Sequence, residues 1–258
     1  MENLLLIAIV LLGVPHGAAD LWVSQKLHPK GHPIFVFGAY VLAAAAFLLG
    51  WWFWPQAVFL LFLLVSGWHF ADTDLPDQPF WRKALYGVWL IMLLLGMHAD
   101  ELMVSANGFP ALPQLHTSFF LTHASSLSYL LFLFGSGYFL SQARQPKRLF
   151  LPFALLLLGL HTPFLIHFCL YFLGWHAPVA LNQIRTFMGW TWPNFLGKLL
   201  PLSILSWVMF GTLGFMVDEG SRLFWFFGLL AALTLPHSLL FHWMTERTQA
   251  PKTTNQAA

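Results

Sequence analysis

The stretch Gln56-Ala57-Val58-Phe59-Leu60-Leu61-Phe62-Leu63-Leu64-Val65-Ser66-Gly67-Trp68-His69-Phe70-Ala71-Asp72-Thr73-Asp74 decides the fold class. It is apolar from Ala57 through Val65 and holds no charge before Asp72. At 1.5 Å rise per residue a run of this length crosses the hydrocarbon of a bilayer, about 30 Å thick. A chain in hydrocarbon must satisfy its own backbone hydrogen bonds, and a helix does so within one segment. The run therefore reads as a membrane helix that carries an imidazole, His69, below its apolar surface. An ionisable group at that depth is costly and points to a functional site.

Working outward, similar runs fill the chain. They fall near 3–24, 34–54, 56–74, 82–103, 117–141, 149–161, 163–184, 197–217 and 222–243. The expected fold is all-α, a polytopic integral membrane bundle of about nine helices, forming one membrane domain over 1–245. The polar stretch 246–258 reads as a disordered tail. Composition agrees, with 58% hydrophobic and 9% charged residues, against about 25% charged in a soluble domain. The net charge of +2 and the lack of any basic cluster interleaved with aromatics argue against a nucleic-acid partner. The one cysteine, Cys169, excludes an intrachain disulfide and reads as a buried inert thiol. Met1-Glu2-Asn3 lacks the basic region of a signal peptide, so the first run is expected to be retained.

The segment His161-Thr162-Pro163 leaves two topologies open, a turn with nine crossings or one kinked helix with eight. Basic residues in short loops favour the cytoplasmic side. Nine crossings with the N-terminus outside and the C-terminus inside put Lys26, Lys30, Arg82, Lys83, Arg144, Lys147, Arg148, Arg185, Lys198, Arg247 and Lys252 inside, with Arg222 alone outside. Eight crossings leave eight inside against four outside. The nine-crossing arrangement is preferred.

Four histidines occur in paired motifs: His16 in Gly13-Val14-Pro15-His16-Gly17, His237 after Leu235-Pro236, and His69 and His176 closing two Gly-Trp-His triplets. In the nine-crossing topology each precedes an inner-side charge by nine to thirteen residues, roughly 13–20 Å along a helix. All four can then meet in one layer, and in the eight-crossing topology they cannot. Imidazole suits iron, copper, zinc and nickel, and neutral histidines with an open position suit non-haem Fe(II) and dioxygen. A ligating imidazole usually donates its second N–H to a carboxylate or carbonyl. Asp20 and Asp72 are expected to do so, lying four and three residues after His16 and His69. Trp68, Phe70, Phe168, Tyr171, Phe172 and Trp175 flank the layer and offer walls for a flat apolar substrate. The remaining histidines read otherwise. His28 and His32 are expected in a solvated loop, and His98, His116, His123 and His161 near the outer interface. His167 falls too far along its helix to join the layer, and His242 is expected near the inner headgroups. Trp51, Trp52, Trp54, Trp190 and Trp192 read as interface-belt residues.

Pro15-His16-Gly17-Ala18-Ala19-Asp20, Ser66-Gly67-Trp68-His69-Phe70-Ala71-Asp72-Thr73-Asp74, Tyr171-Phe172-Leu173-Gly174-Trp175-His176 and Thr234-Leu235-Pro236-His237 resemble, in order and spacing, the Brp/Blh-type β-carotene 15,15′-dioxygenase family. The resemblance implies a membrane enzyme that cuts β-carotene, or a related apolar polyene, at its central double bond to give retinal. It implies dioxygen as co-substrate and histidine-held Fe(II) as cofactor, with His16, His69 and His176 as ligands. A bacterial or archaeal cell membrane follows, with a retinal-binding membrane protein as product acceptor. The chain departs from the family at Ala180, where a second histidine of the third motif is expected. His237 is the favoured candidate to complete the set, with Asp72 or water as alternatives. Two other classes fit the residues: an electron-transfer protein with histidine-ligated haem, and a transporter for a metal or small solute.

Overall fold

The computed structural model describes residues 2–29, 33–98, 101, 124–143, 145–218 and 221–249. Among them there is no strand, and these residues form nine helical rods. These are α1 (Leu4–Leu27), α2 (Pro33–Phe53), α3 (Pro55–Asp74), α4 (Phe80–Gly96), α5 (Ala124–Gln142), α6 (Lys147–Gly159), α7 (Phe164–Met188), α8 (Trp192–Met216) and α9 (Arg222–Gln249). Six of them, α1, α2, α3, α7, α8 and α9, are long and apolar enough to cross a membrane. Among the described residues six of the expected nine spans meet this measure, while α4 and α6 are 17 and 13 residues long. The start of the expected fifth span, His116, His123 and His32 lie outside the described residues.

The break at His161-Thr162-Pro163 is a reversal rather than a kink. Pro163 takes an extended ψ of 150°, which ends the helical path. The chain then returns along α6. A Cβ on Gly159 would meet His167, and one on Gly174 would meet Leu155 at 3.1 Å, so the two rods pack antiparallel. At its other end α7 stops at Gly189, whose φ of +74° is the left-handed conformation that glycine adopts without strain. Its N–H donates to Arg185 O at 3.0 Å.

Helices α3 and α4 touch backbone to backbone. A Cβ at Gly87 would lie 2.5 Å from the Gly67 carbonyl group, so glycine at both positions permits the approach. That approach lets Lys83 and Tyr86 of α4 reach the carboxylates at the end of α3. The chain's apolar interior divides into a large cluster and a smaller one around Val23, Leu27, Ala180, Ile184, Phe195 and Phe241. Three helices pass from one to the other. On α1 the change falls between Val14 and Ala18, on α7 between Trp175 and Ala180, and on α9 between Ala232 and Leu240. His16, His176 and His237 sit at these three crossings.

Two expectations are corrected here. Helix α9 continues through Gln249, whose amide donates to Pro76 O at 2.6 Å, so residues 246–249 are helical rather than tail, and 250–258 lie outside the described residues. Trp51 is wholly buried against Phe59 and Phe224 rather than in an interface belt. A Cβ on Gly228 would meet its ring, and the missing side chain there makes the slot.

Candidate metal centre

Helix α1 is not a regular helix where it carries His16. Ile9–Gly13 is a π turn, closed by Val14 N–H to Ile9 O, and Val14–Ala19 is 3₁₀. Helix α7 has the same device. Phe172–His176 is a π turn closed by Ala177 N–H to Phe172 O. Such turns insert a residue into the helical ladder and recur at functional sites. Each redirects an imidazole toward the bundle interior, where His69 of regular α3 and His237 of α9 also point.

All four imidazoles are buried. The Nε2 of His69 lies 3.1 Å from Nε2 of His176 and 3.2 Å from Nε2 of His237. One ring nitrogen from each of His16, His69 and His237 lies within 4.8 Å of the other two. The His16 ring stands 4.7 Å from that of His237 and 5.4 Å from that of His176, centroid to centroid.

Hydrogen bonds on the far side of two rings set their tautomers. His16 Nδ1 donates to Gly13 O. His237 Nδ1 donates to Asp20 Oδ1 at 2.7 Å, and Asp20 Oδ2 in turn accepts from Tyr40 OH at 2.9 Å. Each of these rings then presents an Nε2 lone pair inward. A single proton on His69 Nε2 satisfies at most one of its two close neighbours well, leaving the other nitrogen pair unfavourable; a cation satisfies them together. The outer Nδ1 atoms of His69 and His176 are buried and make no hydrogen bond. Unsatisfied polar atoms at such depth cost free energy, so this cluster is held against stability. Neutral nitrogen donors at these separations match the chemistry of a first-row transition metal.

Of the two carboxylates expected to orient the imidazoles, Asp20 meets one of the four and Asp72 meets none. Asp20 serves His237, and not His16, because the 3₁₀ segment has three residues per turn. A residue four positions on is thereby rotated by about 120°. Asp72 does not reach His69. It accepts from Lys83 Nζ at 2.7 Å, Trp68 Nε1 at 2.9 Å and His242 Nδ1 at 2.8 Å. Its neighbour Asp74 accepts from Tyr86, Tyr171 and Trp175.

Of the expected substrate walls, Phe70 packs on His176 at 4.6 Å, and Phe172 stacks on His176 at 5.6 Å with its edge toward His16. Phe172 occupies space that a Cβ on Gly13 would fill. Phe168 stacks on Phe172 in turn. Trp68 turns away, with its ring against Phe80 and His242. Tyr171 and Trp175 end on the Asp74 carboxylate. His98, expected at an interface, is buried and lies 2.8 Å from His167. His242 is half-buried beside Asp72. Ala180, the position of the family's missing histidine, is wholly buried in the smaller apolar cluster.

Sequence reading missed the roles of Tyr40, Lys83, Tyr86 and His242. Lys83 counted there as a loop charge, yet it is buried. Its spacing to Asp72 across a short turn was the available signal.

The profile of the beta-carotene 15,15′-dioxygenase family matches residues 7–245, a range that includes all four inward imidazoles. The chain belongs to that family. A beta-carotene 15,15′-dioxygenase from the uncultured marine bacterium 66A03 is 35% identical over 75 residues, 28% of this chain. The aligned part spans 27% of that relative's length. No solved structure matches.

Proposed function

We propose that the protein is an integral-membrane, Fe(II)-dependent dioxygenase that cleaves β-carotene, or a related apolar polyene, at its central double bond. The observation that carries this reading is the convergence of inward nitrogens from His16, His69 and His237, with His176 against His69, in a chain of this family. One dioxygen adds across one C=C bond, that bond breaks, and each carbon leaves as an aldehyde. Both oxygen atoms end in the two retinals, so no further reductant is needed.

Iron(II), when bound, supplies the redox chemistry that lets ground-state dioxygen react with a closed-shell polyene. His16, His69 and His237 would hold it, with His176 as the fourth donor. The chain's own groups do the rest. Gly13 O and Asp20 fix two imidazole tautomers. Phe70 and Phe172 cover the ring faces and keep water from them. Their edges also offer an apolar wall against which a flat polyene can be held with one bond beside the imidazoles. Ala180 contributes no donor, and His237 provides one from another helix.

The bilayer dissolves the substrate, which enters laterally. With nine crossings, the charge pattern favours an N-terminus outside and a C-terminus inside; the expected location is a bacterial or archaeal cell membrane, with a retinal-binding membrane protein as product acceptor. The test is co-expression in β-carotene-producing bacteria, with retinal and residual carotene measured beside a His69→Ala control. Retinal that depends on His69 supports the reading. Unchanged carotene with folded, well-expressed protein overturns it.

A further inference from the structure

The His176 ring is aimed by a π turn, and one carboxylate holds that turn at both ends. Tyr171, just before the turn, donates from its hydroxyl to Asp74 Oδ2 at 2.7 Å. Trp175, one residue before His176, donates from Nε1 to Asp74 Oδ1 at 2.6 Å. Tyr86 of α4 completes the set by donating to Oδ2 at 2.6 Å. All four side chains are buried. Asp74 itself ends the helix that carries His69. The same helix thus supplies one imidazole and the tether for the segment bearing another. The two rings meet at 3.1 Å, Nε2 to Nε2.

We propose that Asp74 is a positioning residue that locks the Phe172–His176 π turn and thereby sets His176 against His69. The proposal rests on the metal reading above for its consequence but not for its geometry. A π turn is a helix with one residue too many, and it relaxes to an α-helix by shifting later residues by about 100° around the axis. Such a shift would carry His176 off the centre. Two short bonds to a buried carboxylate, flanking the inserted residue, oppose it. Trp175 makes the tether directional, because an indole N–H donates and cannot accept.

Substituting Asp74 would strand three buried donors and risk the fold, so the test removes the donors instead. Tyr171→Phe/Trp175→Phe keeps aromatic rings at both positions and deletes the tether. Tyr86→Phe deletes one bond to the same carboxylate and leaves both tethers in place. Hydrogen exchange of the Phe172–His176 amides in metal-free protein is the first readout, and Co(II) affinity and d–d absorption are the second. The double variant is expected to exchange faster in that segment, to bind Co(II) at least about tenfold more weakly and to shift the absorption band. Tyr86→Phe is expected to show neither change. Equal behaviour of the two variants, or a double variant matching the unaltered protein in exchange, overturns the proposal. If the unaltered protein takes up no Co(II), the metal reading fails, and amide exchange alone still decides the role of Asp74.

Discussion

Asp20 Oδ1 and His237 Nδ1 lie 2.7 Å apart although 217 positions separate them in the chain. The bond joins the first and last described helices across the bundle. It fixes the His237 tautomer so that Nε2 faces His69. Tyr40 steadies the same carboxylate from α2 by donating to Oδ2, and its hydroxyl lies 3.3 Å from Leu233 O, one turn before His237, the other acceptor within reach of its single proton.

Asp20→Ala frees the His237 ring and its tautomer while leaving the donor atom in place. Loss of such an outer partner typically costs 10–100-fold in metal affinity or activity. Co(II) titration of the purified variant is expected to show a loss in that range. Affinity equal to that of the unaltered protein would remove Asp20 from the site.

Lys83 and Asp72 form a buried ion pair at 2.7 Å. Lys83→Met leaves the carboxylate with Trp68 and His242 as its remaining donors. Breaking a buried pair by removing one partner costs about 3–5 kcal/mol. A thermal shift in detergent is expected to report a large loss of stability. Metal affinity in the protein that remains folded is expected to hold, since neither residue touches the four inward imidazoles.

Gly13 faces the Phe172 ring so closely that a Cβ would lie 2.2 Å from its nearest carbon. Gly13→Ala must displace that ring, which stacks on His176 and meets His16. Overpacking of this kind costs about 1–3 kcal/mol. Turnover of carotene is expected to fall by a larger factor than stability accounts for. A variant with normal turnover would show that the Phe172 position does not matter to the centre.

Ala180→His restores the residue that the family resemblance leads one to expect. Here the position is fully enclosed by apolar groups. An imidazole there is overpacked and has no polar partner in the cluster. The expected result is a protein less stable by about 1–3 kcal/mol with no gain in retinal formed during co-expression. Increased retinal would mean that the smaller cluster opens to admit a further donor.

The class of fold and the identity of the four inward histidines were legible because each depends on local sequence. Apolar runs set helix length, and Pro-His and Trp-His motifs mark where an imidazole enters a run. Equal spacing from basic residues led to the expectation that the four rings could meet, and the packed helices do bring them together. The partners of Asp20 and Asp72 were not. Their assignment assumed regular helix geometry, and the 3₁₀ segment at Val14–Ala19 turns Asp20 toward α9. The π turn at Phe172–His176 is likewise invisible in composition, because it depends on a tether from Asp74 on another helix.

By itself, then, the order of residues determined the helical character of the described segments, the break before α7, and which four imidazoles point inward. Backbone hydrogen bonding and hydrophobic length act within a segment, so they can be read from it. Which nitrogen faces which, which carboxylate serves which ring, and the exclusion of position 180 from the centre were decided only when the helices packed. Those outcomes depend on rotations of about 100–120° around helix axes, and contacts between distant segments alone select among them.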